Sequence, residues 1–184
     1  MQSLKVKDIM VPTSEYTTVS KDATLYEAIK ILGNTQAEFN QAKNRHRAIL
    51  VLDSEDRVVG KLSQIDVLRG LEPGYRDVKP PAEIKHWALS KETIANMMKD
   101  LQLWQKPLKD ICMKSVRIYV RDIMYTPAEG EYVSQQASLD EAIHQLVIGH
   151  HQSLLVVEDN NVTGILKLTD VFSALVQIIN QCEI

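Results

Sequence analysis

The chain repeats itself, and this repeat limits its possible architectures more strongly than any local pattern does. Three segments occur in the same order in both halves of the sequence. They are Val6–Met10, Leu25–Ile29 and Gly60–Leu71 in the first copy, and Val120–Met124, Leu139–Ile143 and Gly164–Leu175 in the second. The first two pairs are 114 positions apart and the last pair 104, because the first copy carries extra residues, mostly between Gly33 and Arg47. The sequence therefore predicts two copies of one structural unit.

The hydrophobic period changes in the same order within each copy. In the first copy, apolar residues at helical spacing are followed by two apolar runs, Ala48–Leu52 and Val58–Leu62, which flank a polar turn and predict a hairpin. A second helix follows each hairpin, and a short β-prone stretch precedes each first helix. The pattern predicts an α/β fold with two βαββα repeats. Since a unit of about 60 residues is only marginally stable alone, we expect the repeats to pack about a pseudo-two-fold axis.

The repeats divide the chain into a first repeat at 1–71, a helical insertion or linker at 72–119, and a second repeat with a C-terminal helix at 120–184. Within the insertion, Ser90 is predicted to cap a helix that runs to about Gln105. One stripe of this helix contains Ile94, Met97, Met98, Leu101 and Trp104. Two interpretations stay open, because the stripe either packs on the rest of the fold or forms a surface for a partner or a second subunit.

Composition limits the classes of partner and compartment. A formal net charge of −3 lacks the basic excess that neutralises phosphates in nucleic-acid binding. The longest apolar runs are far shorter than the roughly 18 residues of a membrane span, and Met1–Met10 lacks the core of a signal peptide. The two cysteines, Cys112 and Cys182, are far apart, which is typical of a reduced protein without a disulfide framework. We therefore expect a cytoplasmic protein that binds neither nucleic acid nor membrane.

The ordered motifs resemble those of cystathionine-β-synthase (CBS) domains, and each copy resembles one such domain. The likeness rests on the Asp-Ile-Met segment, the Glu-Ala-Ile helix, the strand that ends at Asp53 and the segment Gly60–Asp66. It leaves the insertion unexplained. A tandem pair of these domains is often called a Bateman module. The resemblance implies a regulatory sensor, usually a homodimer, that binds AMP, ADP, ATP, S-adenosylmethionine or sometimes a dinucleotide in two clefts between the repeats.

The first candidate ligand site is the strand-to-helix junction Gly60–Asp66. A ligand with a ribose and phosphates needs an acceptor for the sugar hydroxyls and donors for the phosphate, ideally where a helix begins. We expect Ser63 to donate to phosphate and Asp66 to accept from the ribose, roles that similar positions have in the family. The same two residues also match a capping box, which stabilises a helix start by about 1 kcal/mol without any ligand.

The second junction, Gly164–Asp170, departs from the family pattern. It keeps Asp170 but has Lys167 where the pattern has serine or threonine. Lys167 is expected either to attract a phosphate or to project into the cleft and block or neutralise Asp170. Thr169 supplies a hydroxyl or caps the helix. This departure argues against equivalent clefts, and the first junction matches the family pattern better than the second.

The resemblance also implies further residues that line the two clefts, at positions around the first strand and just before the second strand of each repeat. The residues implicated in this way are Thr17, His46 and Arg47 in the first copy and Glu131, His151 and Gln152 in the second. The cationic run Asn44–Arg47 suits a di- or triphosphate, or forms a solvated loop. We do not expect a metal site, because the adjacent His150 and His151 point in different directions and have no third ligand nearby in sequence.

The sequence favours a regulatory, signal-transducing module that binds an adenosine-type ligand and passes a conformational change to an unidentified protein partner. The alternative is a dimerisation or protein-interaction module whose clefts are degenerate and empty of ligand, and Lys167 favours it. An enzyme is not expected, because the chain lacks a glycine-rich phosphate loop, a nucleophile with a spaced base, and a metal cluster. No cofactor is required under either interpretation.

Overall fold

The computed structural model describes residues 4–38, 48–72, 74–75, 90–104 and 110–181. Two predicted site residues, His46 and Arg47, lie outside these ranges, and so does Cys182. Within the described residues, no helix combines the length and the apolar character that crossing a bilayer requires.

The helices and strands repeat in the predicted order. The strands are β1 Val11–Pro12, β2 Thr18–Ser20, β3 Ala48–Leu52, β4 Val58–Ser63, β5 Tyr132–Ser134, β6 Ser153–Glu158 and β7 Asn161–Lys167. The helices are α1 Leu25–Glu38, α2 Gln64–Leu71, α3 Lys91–Asp100, α4 Ile111–Ser115, α5 Leu139–Gly149 and α6 Leu168–Asn180. The order β2-α1-β3-β4-α2 recurs as β5-α5-β6-β7-α6, which confirms the mixed α/β class and the two βαββα repeats.

The described strands form two sheets, with the orders β1-β7-β6-β5 and β2-β3-β4. In the first sheet, β6 and β7 form the predicted antiparallel hairpin, in register from Ser153 opposite Lys167. β5 pairs in parallel with β6, so α5 serves as the crossover that a parallel connection requires. β1 adds to β7 in antiparallel orientation, with Val11 opposite Ile165. This last pairing joins two segments that belong to different sequence repeats.

The first compact unit comprises Met1–Thr18, Leu52–Lys61 and Thr126–Ile184. Its N-terminal segment is held by backbone hydrogen bonds: the Val6 N–H donates to Ala137 O at 3.0 Å, and the Leu139 N–H donates to Leu4 O at 2.9 Å. The buried core of this unit is formed by Val6, Val133, Ala137, Leu139, Ala142, Leu146, Leu154, Val156, Leu166 and Val171. Val6 is thus a core residue of the unit that contains most of the second repeat.

The second compact unit comprises Val19–Val51 and Leu62–Tyr125. Here the Leu25 N–H donates to Ile118 O at 2.7 Å, and the Val120 N–H donates to Ala23 O at 2.9 Å. These contacts correspond to those of the first unit. The segment that leads into each repeat therefore packs against the start of the first helix of the other repeat. The boundaries 1–71, 72–119 and 120–184 describe the order of repeats along the chain and stay a prediction.

Helix α3 begins in the insertion as predicted but ends earlier. Ser90 Oγ accepts a hydrogen bond from the Thr93 N–H at 3.1 Å, which confirms the cap. The predicted end near Gln105 is wrong, since the helix stops at Asp100. Gln102 and Trp104 follow with φ values of 51° and 58°, a left-handed conformation that a right-handed helix does not contain.

The apolar stripe of the insertion is divided between packing and exposure. The Trp104 backbone N–H donates to Glu72 Oε2 at 2.9 Å, and its indole N–H donates to Tyr75 Oη at 3.0 Å, so this end of the stripe is packed within its unit. By contrast, Ile94 and Met98 on α3 are exposed. The packing interpretation therefore holds for Trp104 and not for these two side chains.

Candidate functional site

The junction of the first repeat is a reciprocal helix cap. β4 ends at Ser63 and α2 begins at the next residue. The Ser63 N–H and hydroxyl donate to Asp66 Oδ2 at 2.9 and 2.5 Å, and the Asp66 N–H donates to Ser63 Oγ at 3.4 Å. The second carboxylate oxygen, Asp66 Oδ1, lies 4.0 Å from Arg69 Nη1. The capping interpretation is confirmed, and a ribose contact at Asp66 stays a prediction.

The junction of the second repeat contains an ion pair instead of a cap. Lys167 precedes α6 but makes no side-chain hydrogen bond to the helix backbone. Its Nζ lies 3.2 Å from Asp170 Oδ2, and the two side chains are 9% and 18% exposed. The buried Oδ2 atom accepts no hydrogen bond from any described residue, so charge attraction holds the pair together. Lys167 therefore neutralises Asp170 within its own unit.

Thr169 does not cap this helix, and that expectation is wrong. Helix α6 begins at Leu168, so the capping position belongs to Lys167 and Thr169 lies inside the first turn. The Thr169 side chain is exposed, and its backbone carbonyl accepts a hydrogen bond from Ser173 Oγ at 2.8 Å. A role for its hydroxyl in binding stays a prediction.

Tyr16 is a residue near Asp170 that the sequence analysis did not include among its candidates. Its side chain is buried, directly before the predicted Thr17, which is half-buried. Burial raises the pKa of the Tyr16 phenol, and the negative charge of Asp170 raises it further. Tyr16 is therefore a neutral group near the Asp170 carboxylate. The signal that was available is an aromatic residue next to a predicted wall residue.

Glu131, predicted as a wall residue, has a partner that the sequence analysis also missed. Glu131 Oε2 accepts a hydrogen bond from Lys61 Nζ at 2.8 Å, and the side chains are 5% and 11% exposed respectively. Its other oxygen, Oε1, accepts from the Ala128 N–H at 3.2 Å. A lysine inside the apolar run Val58–Leu62 was the available signal, because a buried ammonium needs an anionic partner.

The loop with the two histidines lies beside the start of α6. His150 ends α5 in a left-handed conformation with φ of 52°. The His151 N–H donates to Leu146 O at 3.0 Å, and Gln152 O accepts from the Leu168 N–H at 3.0 Å. The backbone of Gln152 is thus placed next to Lys167 and Leu168, while its side chain is exposed.

The first unit therefore brings together a carboxylate, a buried ammonium and a neutral phenol, from Asp170, Lys167 and Tyr16. Such a set suits the binding of hydroxyl groups and anions. The second unit contains the capped junction of Ser63 and Asp66. Among the residues that the structure describes, no group of three or more histidine, cysteine, aspartate or glutamate side chains is arranged to hold a metal ion.

Comparison with known proteins identifies the repeats. The family model of the CBS domain matches residues 6–73 and 120–177. A crystal structure of CBSX2 in complex with AMP shares 20% identity, with 95% of this chain and 98% of that chain covered and a TM-score of 0.58. The CBS-pair protein CBSX2 from Arabidopsis thaliana gives a TM-score of 0.61 at 20% identity, covering 98% and 100% of the two chains.

A CBS domain-containing protein of unknown function from Kribbella flavida has the same fold, with a TM-score of 0.61 at 16% identity over 94% of this chain and 98% of that one. No curated protein sequence matches the chain. At these identities the structural likeness establishes the fold alone.

Proposed function

The chain belongs to the CBS domain family, and from this premise we propose that it is a regulatory module for an adenosine-containing nucleotide. Its ligand is AMP, ADP, ATP or S-adenosylmethionine, and binding changes the protein's contacts with a partner. The observation that carries the proposal is the recurrence of one carboxylate in one position. Asp66 and Asp170 each occupy the first turn of the helix that follows the last strand of a repeat.

The chemistry of this position supports ligand binding. A carboxylate accepts hydrogen bonds from two neighbouring sugar hydroxyls, and a helix start favours an anion. Ser63 and Lys167 each lie next to one of the aspartates and supply a donor for phosphate. CBSX2, with which this chain shares its fold, has been crystallised with AMP. AMP is therefore the first ligand to test.

We further propose that the module is not catalytic. Asp66 is hydrogen-bonded to Ser63, and Asp170 is paired with Lys167, so both carboxylates already have partners within the chain. Thr17, Glu131, His151, Gln152 and Thr169 are the proposed additional ligand contacts, together with His46 and Arg47, which lie outside the described residues. A homodimer, a role in signal transduction and a cytoplasmic location are parts of the same proposal.

Thermal unfolding in the presence of nucleotides tests the proposal. A ligand at a hundredfold excess over its dissociation constant adds about 2.7 kcal/mol to the free energy of unfolding and raises the melting temperature. We expect a concentration-dependent rise with at least one of AMP, ADP, ATP and S-adenosylmethionine. Inosine monophosphate, which has the same ribose and phosphate with a different base, is the control for base recognition. The absence of any rise contradicts the proposal.

A second function has specific support. Both aspartates already have partners within the chain, which fits an interaction module with degenerate, ligand-free clefts. The thermal unfolding experiment separates the two functions. An interaction module shows no melting shift with any of the four ligands, whereas a sensor shows the shift.

A further inference from the structure

The pairing of Lys167 with Asp170 restricts which ligands the second junction accepts. We propose that Lys167 is a specificity-determining residue that makes the Asp170 site selective for phosphate-bearing adenosine ligands over neutral or cationic ones. This inference rests on the proposed function, because it concerns the ligand of the same site.

Lys167 and Asp170 form a largely buried ion pair. The Lys167 side chain is only 9% exposed, and its ammonium lies 3.2 Å from Asp170 Oδ2. Removing one partner of a buried ion pair leaves an uncompensated charge, which is strongly unfavourable. Any ligand that takes the Asp170 carboxylate away from Lys167 must therefore provide the ammonium with another anion.

A ribose competes with Lys167 for the Asp170 carboxylate. The oxygen that faces Lys167 is Oδ2, which accepts no hydrogen bond from the described residues, so a sugar hydroxyl that binds this oxygen competes with the ammonium. A 5′ phosphate is joined to that ribose, so a nucleotide supplies both the hydroxyls for Asp170 and an anion for Lys167. Adenosine supplies only the hydroxyls. S-adenosylmethionine carries a sulfonium cation next to its ribose, which repels a second cation.

Lys61 and Tyr16 belong to the same unit as this ion pair. Lys61, the other buried lysine of this unit, is engaged by Glu131 at 2.8 Å. Tyr16 is neutral and adds no charge near Asp170. The equivalent of Lys167 in the first repeat is Ser63, which has no charge. The Asp66 site therefore lacks the buried ammonium, and its nearby cation is the exposed Arg69, 4.0 Å from Asp66 Oδ1.

Titration calorimetry of Asp66→Asn protein, which leaves Asp170 as the remaining ribose acceptor, tests the inference with AMP, adenosine and S-adenosylmethionine. We expect AMP to bind at least about tenfold more tightly than adenosine, the difference that one charge-assisted contact provides. Lys167→Thr in the same background removes this preference, and Lys167→Arg, which keeps the charge, retains most of it. A folding defect would lower the affinities for AMP and adenosine together. The ratio of the two affinities therefore depends on the charge at position 167 and not on how much of the protein is folded.

Four outcomes decide against the inference. An unchanged ratio in Lys167→Thr overturns it. If that variant does not fold, equal affinities for AMP and adenosine in Asp66→Asn protein overturn it. Loss of all binding in Asp66→Asn protein, with binding intact in the wild type, overturns it and leaves the proposed function standing. A wild-type protein that binds none of AMP, ADP, ATP and S-adenosylmethionine overturns both.

Discussion

Lys61 and Glu131, 70 positions apart in the sequence, form a buried ion pair with 2.8 Å between Nζ and Oε2. Replacing Lys61 with methionine leaves the Glu131 carboxylate buried without its ammonium. Breaking such a pair costs about 3–5 kcal/mol in the free energy of unfolding, whereas replacing both partners with apolar residues costs much less. Urea denaturation of Lys61→Met and of the Lys61→Met/Glu131→Leu double variant measures the difference.

The control for this pair is the exposed ion pair between Arg121 and Asp22. Asp22→Asn is expected to cost less than about 1 kcal/mol, because water screens exposed pairs. Equal losses for Lys61→Met and Asp22→Asn contradict the buried pairing.

Gly164 reports on the packing of the N-terminal segment against β7. A methyl group at this position lies 2.7 Å from Val11 O and 3.0 Å from Met10 Sδ, so Gly164→Ala forces the segment away. We expect the free energy of unfolding to fall by about 1–3 kcal/mol. Gly33 is exposed within α1, and a methyl group there meets no atom of the described residues within 4 Å, so Gly33→Ala is expected to stabilise by about 0.5–1 kcal/mol. Chemical denaturation of both variants measures the two changes in the free energy of unfolding. If Gly164→Ala leaves this free energy unchanged, it contradicts the packing of the segment before the first repeat against β7 of the second repeat.

The Asp53 turn predicts a specific acid dependence of stability. Two side-chain hydrogen bonds from Arg57, with backbone N–H groups of Arg57 and Glu55, lower the pKa of Asp53 from 3.8 to about 2. Because the folded-state pKa is the lower one, this stabilisation is fully present above pH 3.8 and is lost as the pH falls toward 2. Stability curves of the wild type and Asp53→Asn should converge over that interval, and parallel curves would refute the assignment.

Tyr16 predicts the corresponding behaviour in alkali. Its pKa is raised above the ordinary value of 10.0 by burial and by Asp170, so its phenol stays protonated in the folded protein when exposed tyrosines ionise. Its stabilising contribution is present below pH 10.0 and is lost as the pH rises. Ultraviolet absorbance titrations of the wild type and Tyr16→Phe should coincide near pH 10.0 under native conditions, because the buried phenol does not ionise there. In urea the wild type should show the additional absorbance of one ionised tyrosine. A native difference there would show that the phenol is accessible.

Much of the fold could be predicted because the internal repeat determines the order of strands and helices. The hairpins and the helix starts at Ser63 and Ser90 follow from local patterns whose physical causes lie within a few residues. The packing of the segment before each repeat against the other repeat could not be predicted in this way. It depends on backbone hydrogen bonds such as that from the Val6 N–H to Ala137 O, and such bonds do not require particular side chains. The residues just beyond α3 likewise make contacts with a distant segment, such as the hydrogen bond from the Trp104 N–H to Glu72, which helical spacing does not reveal.

The candidate site was predicted in part for the same reason. Asp66 and Asp170 follow from the repeat, but the partner of each depends on one substituted position, serine in one copy and lysine in the other. The pairing of Lys61 with Glu131 joins residues of different repeats, so aligning the two copies cannot reveal it.

The most direct test of the account is a crystal structure of the protein grown with AMP. We predict density for the nucleotide with its ribose hydroxyls within hydrogen-bond distance of the carboxylate of Asp66 or Asp170, and its phosphate next to Ser63 or Lys167 respectively. Crystals grown at saturating AMP in which both carboxylates keep their present partners and carry no nucleotide would contradict the account.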